Sequence, residues 1–187
     1  NPYYLLFWLQ LMGWALIAQW IGSRRRANLA IGLASIALAG AALVAGNIEV
    51  WALVQEPEAM PLLSRSYSGT ELYALKPLEL FIPPAFHRWD AMAFLGHRYV
   101  RWSTWRGEMF LSYLGIAGIL GFLWLAVRTA HRAFTRRAPP GHALSTGWLV
   151  AFATMGGLTN LLALLTGFHL FRATNRVVTF ISAIVLI

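Results

Sequence analysis

Residues 24–45 decide the fold, and they read RRRANLAIGLASIALAGAALVA. Three arginines precede an uncharged apolar run that is as long as a bilayer-spanning helix, which needs about 20 residues. Further apolar runs lie on both sides, and 58% of the chain is hydrophobic against 12% charged. Because a soluble domain carries about a quarter of charged residues, the sequence predicts an integral membrane protein built from helices.

We predict an all-α integral membrane fold of about five transmembrane helices, the last of them truncated. The predicted spans are residues 3–21, 27–45, 109–127, 147–166 and 177–187, which form one transmembrane domain over residues 1–187. Small residues recur at four-residue spacing in several spans, and such stripes let helices approach closely. The chain begins without Met and its last apolar run is short, so we expect it to be a piece of a larger polytopic protein.

The distribution of charge predicts the orientation. All seven acidic residues lie between Asn47 and Glu108, whereas Ser23–Arg26 and Arg128–His142 hold seven arginines and no acid. Loops rich in arginine stay on the cytoplasmic side. The 62-residue loop 47–108 and the short turn Phe168–Arg176 should therefore face outward. We expect a multi-pass protein of the bacterial cytoplasmic (inner) membrane.

The excess of positive charge in the chain is explained by the predicted membrane topology. The net charge is +8, and the two arginine clusters account for seven of these charges. This origin argues against a nucleic-acid partner and for membrane lipid as the partner of the cations. The chain has no cysteine, which excludes disulfides and cysteine-based catalysis or metal sites and leaves the redox compartment open.

The outward loop is too rich in aromatic residues for a disordered linker. We predict short helices at the membrane surface, at Ile48–Val54, Pro77–Ile82 and Phe86–Val100, with aromatic faces toward lipid headgroups or the helix bundle. The loop carboxylates Glu71 and Glu79 are predicted to have a structural role, in which either pairs with Lys76 or with a loop arginine.

The loop also holds the first candidate site. If Phe86–Arg101 is helical, His87, Asp90, His97 and Arg101 lie near one face. A carboxylate beside imidazoles can act as a general base, which makes Asp90 a candidate catalytic residue. The same group, His87, Asp90 and His97, could instead hold a divalent metal. The spacing matches no known metal signature, Gly96 could break the helix, and an amphipathic helix with a solvated polar face is the favoured alternative.

The second candidate site is Arg172 and Arg176 at the start of the last predicted span. The two share a helix face, and Thr174 or Asn175 could cap that helix. A helix N-terminus and arginine both suit a phosphate, so a lipid-linked phosphate could bind here. Arginines that snorkel to lipid headgroups are an equally good interpretation. Mid-span Thr159 and Asn160 are better explained by contacts between helices than by a site.

Several segments together resemble a known family. They are Ser66–Gly69, the run YALKPLELFIPP at 73–84, Tyr113-Leu114-Gly115, Gly156-Gly157-Leu158 and FRATNR at 171–176. About two thirds of the chain resembles the middle part of large bacterial membrane proteins of the GT-C glycosyltransferase type, in particular the YfhO-like branch. These motifs are short and moderately specific.

The resemblance implies a transferase that uses a polyprenyl-phosphate-linked sugar at the outer face of the membrane. It implies that Arg172 and Arg176 bind the lipid phosphate, aided by Arg88 or Lys76, and that the main catalytic carboxylate lies in an earlier loop. Two other functions remain open. One is a scaffold subunit that binds other membrane proteins. The other is a transporter of lipid-linked substrates, which the absence of charge in the first four spans disfavours.

Overall fold

The computed structural model describes residues 2–23, 26–46, 48, 66–104, 108, 111–166 and 173–187. Within these residues the fold is all-α, as predicted, and it contains no strand apart from one isolated parallel bridge between Leu75 and Thr154. The helices are α1 (Pro2–Ser23), α2 (Arg26–Ala45), α3 (Tyr67–Leu72), α4 (Asp90–Trp102), α5 (Gly115–Phe134), α6 (Gly141–Ala153), α7 (Leu158–Thr166) and α8 (Val178–Val185), with 3₁₀ turns at Pro77–Leu80 and Thr174–Val177.

The chain divides into two compact units, Asn1–Ser64 and Arg65–Ile187. In the first unit α1 packs against α2. The Leu16 side chain fills the space that a Cβ at Gly32 would need, so the glycine permits this close approach.

One stretch within the described residues, Asn28–Ala45 of α2, is long and apolar enough to cross a membrane by length and composition. Core helices and signal sequences pass the same test, so one such helix is weak support for a membrane protein.

The second unit is organised around the segment that joins α3 to the first 3₁₀ turn. The Leu75 N–H donates to the Ala153 carbonyl at 2.9 Å, and the Met155 N–H donates to the Leu75 carbonyl at 2.9 Å. This segment therefore fills the break between α6 and α7, where Leu75 is wholly buried. Helices α5, α6 and α8 pack against one another, and α3 packs against α7.

The predicted span 147–166 is two helices rather than one. Helix α6 ends at Ala153 and α7 begins at Leu158. Gly156 adopts a φ of +74°, which a side chain disfavours, and a Cβ at Gly157 would collide with the Ala151 carbonyl. The two glycines form the turn between the helices.

Three other predicted boundaries differ from the structure. The predicted span 109–127 corresponds to α5, which begins at Gly115 and continues through Arg128 and Arg132, because arginine is a good helix former even where hydropathy ends. The last span, 177–187, begins with the 3₁₀ turn Thr174–Val177. In the loop, the predicted helix Pro77–Ile82 is a 3₁₀ turn at Pro77–Leu80, and the predicted helix Phe86–Val100 is α4 at Asp90–Trp102. The predicted helix Ile48–Val54 lies outside the described residues apart from Ile48.

Candidate functional site

Buried polar side chains of the second unit collect where residues 66–104 meet the ends of α5, α6 and α8. Among the described residues eight polar ones are buried there or in the adjoining helices: Thr70, Glu79, Ser112, Thr146, Thr159, Asn160, Thr174 and Asn175. They form two groups that could carry chemistry, one around Glu79 and one around Arg176.

Glu79 is the buried carboxylate of the first group and is 2% exposed. Its Oε1 accepts a hydrogen bond from the Tyr99 hydroxyl of α4 at 3.2 Å, and the Lys76 ammonium lies 3.9 Å from the same oxygen. Lys76 also donates to the Leu72 carbonyl at 3.0 Å. These contacts join the 3₁₀ turn to α3 and α4, so the loop is folded around Glu79.

Burial raises the pKa of Glu79 above its usual value of 4.5. Lys76, the Tyr99 hydroxyl and the nearby Ser112 hydroxyl oppose this effect because they stabilise the carboxylate. The Ser112 hydroxyl is itself buried and makes no hydrogen bond of good geometry, so it lowers the pKa of Glu79 through its proximity to the carboxylate. Burial also raises the pKa of Tyr99, which keeps the phenol protonated as a donor.

Arg176 and Glu108 form the second group. The Arg176 guanidinium donates to both carboxylate oxygens of Glu108, with N–O distances of 3.0–3.2 Å. The two side chains are 28% and 29% exposed, so the pair is reachable from outside the unit. An arginine held in this two-pronged geometry also matches a phosphate, which would compete with the carboxylate.

The residues beside Arg176 hold it in place without capping the helix. Thr174 and Asn175 were candidates to cap the last helix, but α8 has Val177 at its N-cap and no side-chain cap bond. The two residues lie instead in the 3₁₀ turn, which Ala173 precedes in a left-handed conformation. The Thr174 hydroxyl donates to the Ala153 carbonyl at 2.8 Å, and the Asn175 amide donates to the Glu108 carbonyl at 2.9 Å. Both contacts tie the start of α8 to neighbouring segments and so fix the position of Arg176.

Asn160 joins the two helices to the loop. Its amide donates to the Thr70 hydroxyl of α3 at 3.0 Å, and its carbonyl oxygen accepts from the Gly156 N–H at 3.0 Å. Thr159 donates to the Phe152 carbonyl across the break. The structural role predicted for Thr159 and Asn160 is confirmed, although their partners are the loop and the helix break rather than a second span.

The loop candidates do not form the predicted cluster. Helix α4 begins at Asp90 rather than Phe86, because the chain turns at His87, whose Nδ1 accepts the Trp89 N–H at 3.1 Å. His87 therefore precedes the helix that carries Asp90 and His97. Among the described residues no three His, Cys, Asp or Glu side chains are placed to hold a metal.

The remaining candidates can be placed individually. Asp90 is exposed in the first turn of α4, where it suits the helix dipole, and the exposed Arg88 precedes that helix. Gly96 does not break the helix. It lies against the loop backbone, and a Cβ there would come 2.5 Å from the Pro83 carbonyl oxygen. Arg172, which is predicted to share a phosphate site with Arg176, lies outside the described residues.

Sequence reasoning missed Tyr99, Ser112 and the partner of Arg176. Tyr99 and Ser112 carry no local signal, because a tyrosine or serine in an aromatic loop is common. Glu108 was recognisable as the last acid before an apolar run, but no pattern linked it to an arginine 68 residues away.

Comparison with known proteins adds no identity to this arrangement. No family model, curated protein or solved structure matches the chain.

Proposed function

We propose that the chain is a multi-pass part of a bacterial inner-membrane protein. In the second unit large apolar side chains of α5 and α7 lie on the outside, while several uncharged polar side chains are buried. Leu120 and Trp124 of α5 are 63% and 68% exposed, and Leu165 of α7 is 72% exposed, whereas Asn160 is 2% exposed. A soluble unit has the opposite distribution, so an apolar solvent explains this arrangement best.

The exposed side chains of α5 support the same proposal. Ile116, Leu120, Leu123, Trp124 and Val127 recur at the spacing of one helix face, and all five are exposed. Helices α6 and α7 are about 20 Å and 14 Å long at 1.5 Å per residue, so neither alone crosses a hydrocarbon core of about 30 Å. In the proposal they form one interrupted span, whose free backbone groups are satisfied by Leu75 and Asn160.

We propose further that this membrane protein is a glycosyltransferase of the GT-C type, which uses a polyprenyl-phosphate-linked sugar at the outer face. The observation that carries the proposal is the partly exposed pair of Arg176 and Glu108 at the start of α8. Glu108 holds the guanidinium in a geometry that a phosphate can take over. When the donor binds, its phosphate replaces the carboxylate on Arg176.

The chemistry follows from the charge of the leaving group. The acceptor hydroxyl oxygen attacks the anomeric carbon and its proton passes to the catalytic carboxylate that the resemblance places in an earlier loop. The bond from the anomeric carbon to the phosphate oxygen breaks, and the lipid phosphate leaves with the bonding electron pair. Arg176 lowers the barrier because negative charge grows on the phosphate in the transition state. Lys76 is held by Glu79 and by the Leu72 carbonyl, so its role in this proposal is structural.

A transporter is the weaker alternative, although it predicts interrupted helices such as α6 and α7. In known transporters the backbone at the interruption is left open to bind substrate. Here the Ala153 carbonyl accepts from both Leu75 and Thr174, and the Met155 N–H donates to Leu75. The interruption is therefore filled by this chain itself, which favours a structural joint.

A scaffold subunit remains the second candidate, because the charges of the site are paired within the chain.

The experiment compares Arg176→Ala, Arg176→Lys and Arg172→Ala in the protein reconstituted in nanodiscs. The measurements are binding of a polyprenyl-phosphate sugar and transfer of that sugar. The control is Arg128→Ala, an exposed arginine near the opposite end of α5. We expect Arg176→Ala to abolish binding and transfer, Arg176→Lys to retain part of both, and the control to change neither. Unchanged binding in the folded Arg176→Ala variant would favour the scaffold.

A further inference from the structure

Helix α4 presents an apolar strip to the outside of the second unit. Its less exposed residues, among them Gly96 and Tyr99, face the body of the unit. On the opposite side Phe94, Leu95 and Trp102 are 61%, 50% and 70% exposed. These three lie with Ala91 and Arg98 within one sector of the helix, whereas Asp90 and His97 lie at its edge.

The strip is held outward by fixed contacts. Gly96 brings α4 so close to the loop that a Cβ would meet the backbone of Pro83 and Ala85. The Tyr99 hydroxyl on the inner side donates to Glu79. The helix therefore cannot rotate to bury Leu95 and Trp102 without breaking both contacts.

The start of α4, where the strip begins, lies close to the start of α5. The His87 ring lies edge-on to the Trp89 and Tyr113 rings, with centroid distances of 6.0 and 5.9 Å. Tyr113 lies two residues before α5. The Leu114 N–H also donates to the Leu80 carbonyl, which ties the loop to the same point. If α5 enters the membrane at Gly115, the start of α4 lies at the membrane surface.

The charges on this side are mainly cationic. Arg88, Arg98 and Arg101 are all exposed, against the single acid Asp90. The Arg98 guanidinium lies 4.8 Å from the centre of the Trp102 ring. Arginine beside tryptophan suits the headgroup region, because the indole tolerates both lipid and water while the cation meets phosphate.

From these observations we infer that α4 is an interfacial anchor. Its apolar strip inserts into the outward-facing surface of the inner membrane, and its arginines bind anionic phospholipid headgroups. The inference rests on the membrane embedding proposed above. Each cation near an anionic surface strengthens membrane binding about fivefold, so Arg98 and Arg101 give the anchor a preference for anionic lipid.

The test uses the absence of cysteine, which allows single labels in the whole chain. Nitroxide labels at Ala91→Cys and Leu95→Cys report on the strip, His97→Cys on its polar edge, and Leu164→Cys on the apolar face of α7. The protein is reconstituted in nanodiscs of phosphatidylcholine, with or without phosphatidylglycerol. Contact of each label with oxygen, which concentrates in lipid, is compared with contact with a water-soluble nickel chelate.

We expect the Ala91 and Leu95 labels to meet oxygen in preference to nickel, several-fold more than the His97 label. Phosphatidylglycerol should strengthen this preference. Arg98→Gln and Arg101→Gln should each weaken that lipid effect about fivefold, whereas the control Arg128→Gln should leave it unchanged.

Three results would overturn the inference. They are strip labels as open to nickel as His97, strip labels shielded from both reagents by protein, and a lipid response that survives both arginine changes. If the Leu164 label also meets nickel, the membrane embedding itself is wrong. A lipid-exposed Leu164 beside a water-exposed strip leaves the embedding intact and removes only the anchor.

Discussion

At the residue scale, the local pairing of Lys76 and Glu79 could be predicted, whereas the pairing of Glu108 with Arg176 could not. The first pair is three positions apart in sequence, so the chain itself brings the two charges together. The second pair depends on how α8 returns to the loop, which no local pattern encodes. For the same reason Tyr99 was missed as the donor to Glu79. Sequence identifies residues with the right chemistry, but distant contacts decide which of them meet.

The buried Glu79 should make stability depend on pH. Burial raises its pKa in the folded chain above the usual value of 4.5. A carboxyl with a raised folded pKa contributes stability that is present below the unfolded value and is lost as pH rises through the folded value. We expect Glu79→Gln, which cannot ionise, to lose less stability than the unmodified protein as the pH rises above 4.5, measured by thermal unfolding in detergent.

A matched control separates this effect from a general charge effect. Glu71→Gln makes the same exchange at a half-exposed carboxyl of α3, so a change of the pH profile that appears in both variants comes from the exchange itself. If the pH profile of Glu79→Gln runs parallel to that of the unmodified protein, the buried carboxylate does not lower stability and the prediction is wrong.

Asn160 should be needed for stability rather than for ligand binding. Asn160→Ala removes the bond to Thr70 and leaves the Gly156 N–H without its acceptor. A buried polar group left unpaired costs about 1–3 kcal/mol. The free energy of unfolding should fall by that amount in denaturant titration. Ser145→Ala, which loses only an exposed bond to its own helix, should stay within about 0.5 kcal/mol of the parent.

At the scale of the elements, helix type could be predicted but helix continuity could not. Hydropathy is high throughout 147–166, so the pattern predicted one span. The interruption at 154–157 is maintained by Leu75, from a segment about 80 residues earlier in the chain. Gly156 permits the turn, yet a glycine pair within a membrane helix is equally typical of close helix packing. The contact that decides between these interpretations is not local.

Gly96 should be required for the position of α4 rather than for its helical structure. Gly96→Ala raises helix propensity by about 1 kcal/mol, but the added Cβ would collide with the Pro83 carbonyl and the Ala85 amide. We expect faster hydrogen exchange throughout α4 and at the Tyr99 contact. Ala91→Gly, at an exposed position of the same helix, should lower propensity without undocking the helix. Slower exchange in Gly96→Ala would mean that α4 tolerates a different position.

At the scale of the whole molecule, composition predicted the class of protein and left the path through the membrane open. Asn28–Ala45 alone has the length and hydropathy of a span among the described residues. The second unit supports embedding through a different property, the exposure of apolar side chains along α5 and α7 and the burial of Thr159 and Asn160. This property cannot be read from hydropathy, because it depends on which side chains face outward after folding.

The proposed topology predicts that the two ends of α5 lie on opposite sides of the membrane. Phe86, in the loop tied to the start of α5, is 75% exposed, and Phe134, at its other end, is 89% exposed. The chain has no cysteine, so Phe86→Cys and Phe134→Cys each introduce one thiol. A membrane-impermeant maleimide should label Phe86→Cys in intact spheroplasts and Phe134→Cys only after permeabilisation. Labelling of both thiols from outside would mean that α5 does not cross the membrane, and the apolar face of that helix would then have to be covered by protein.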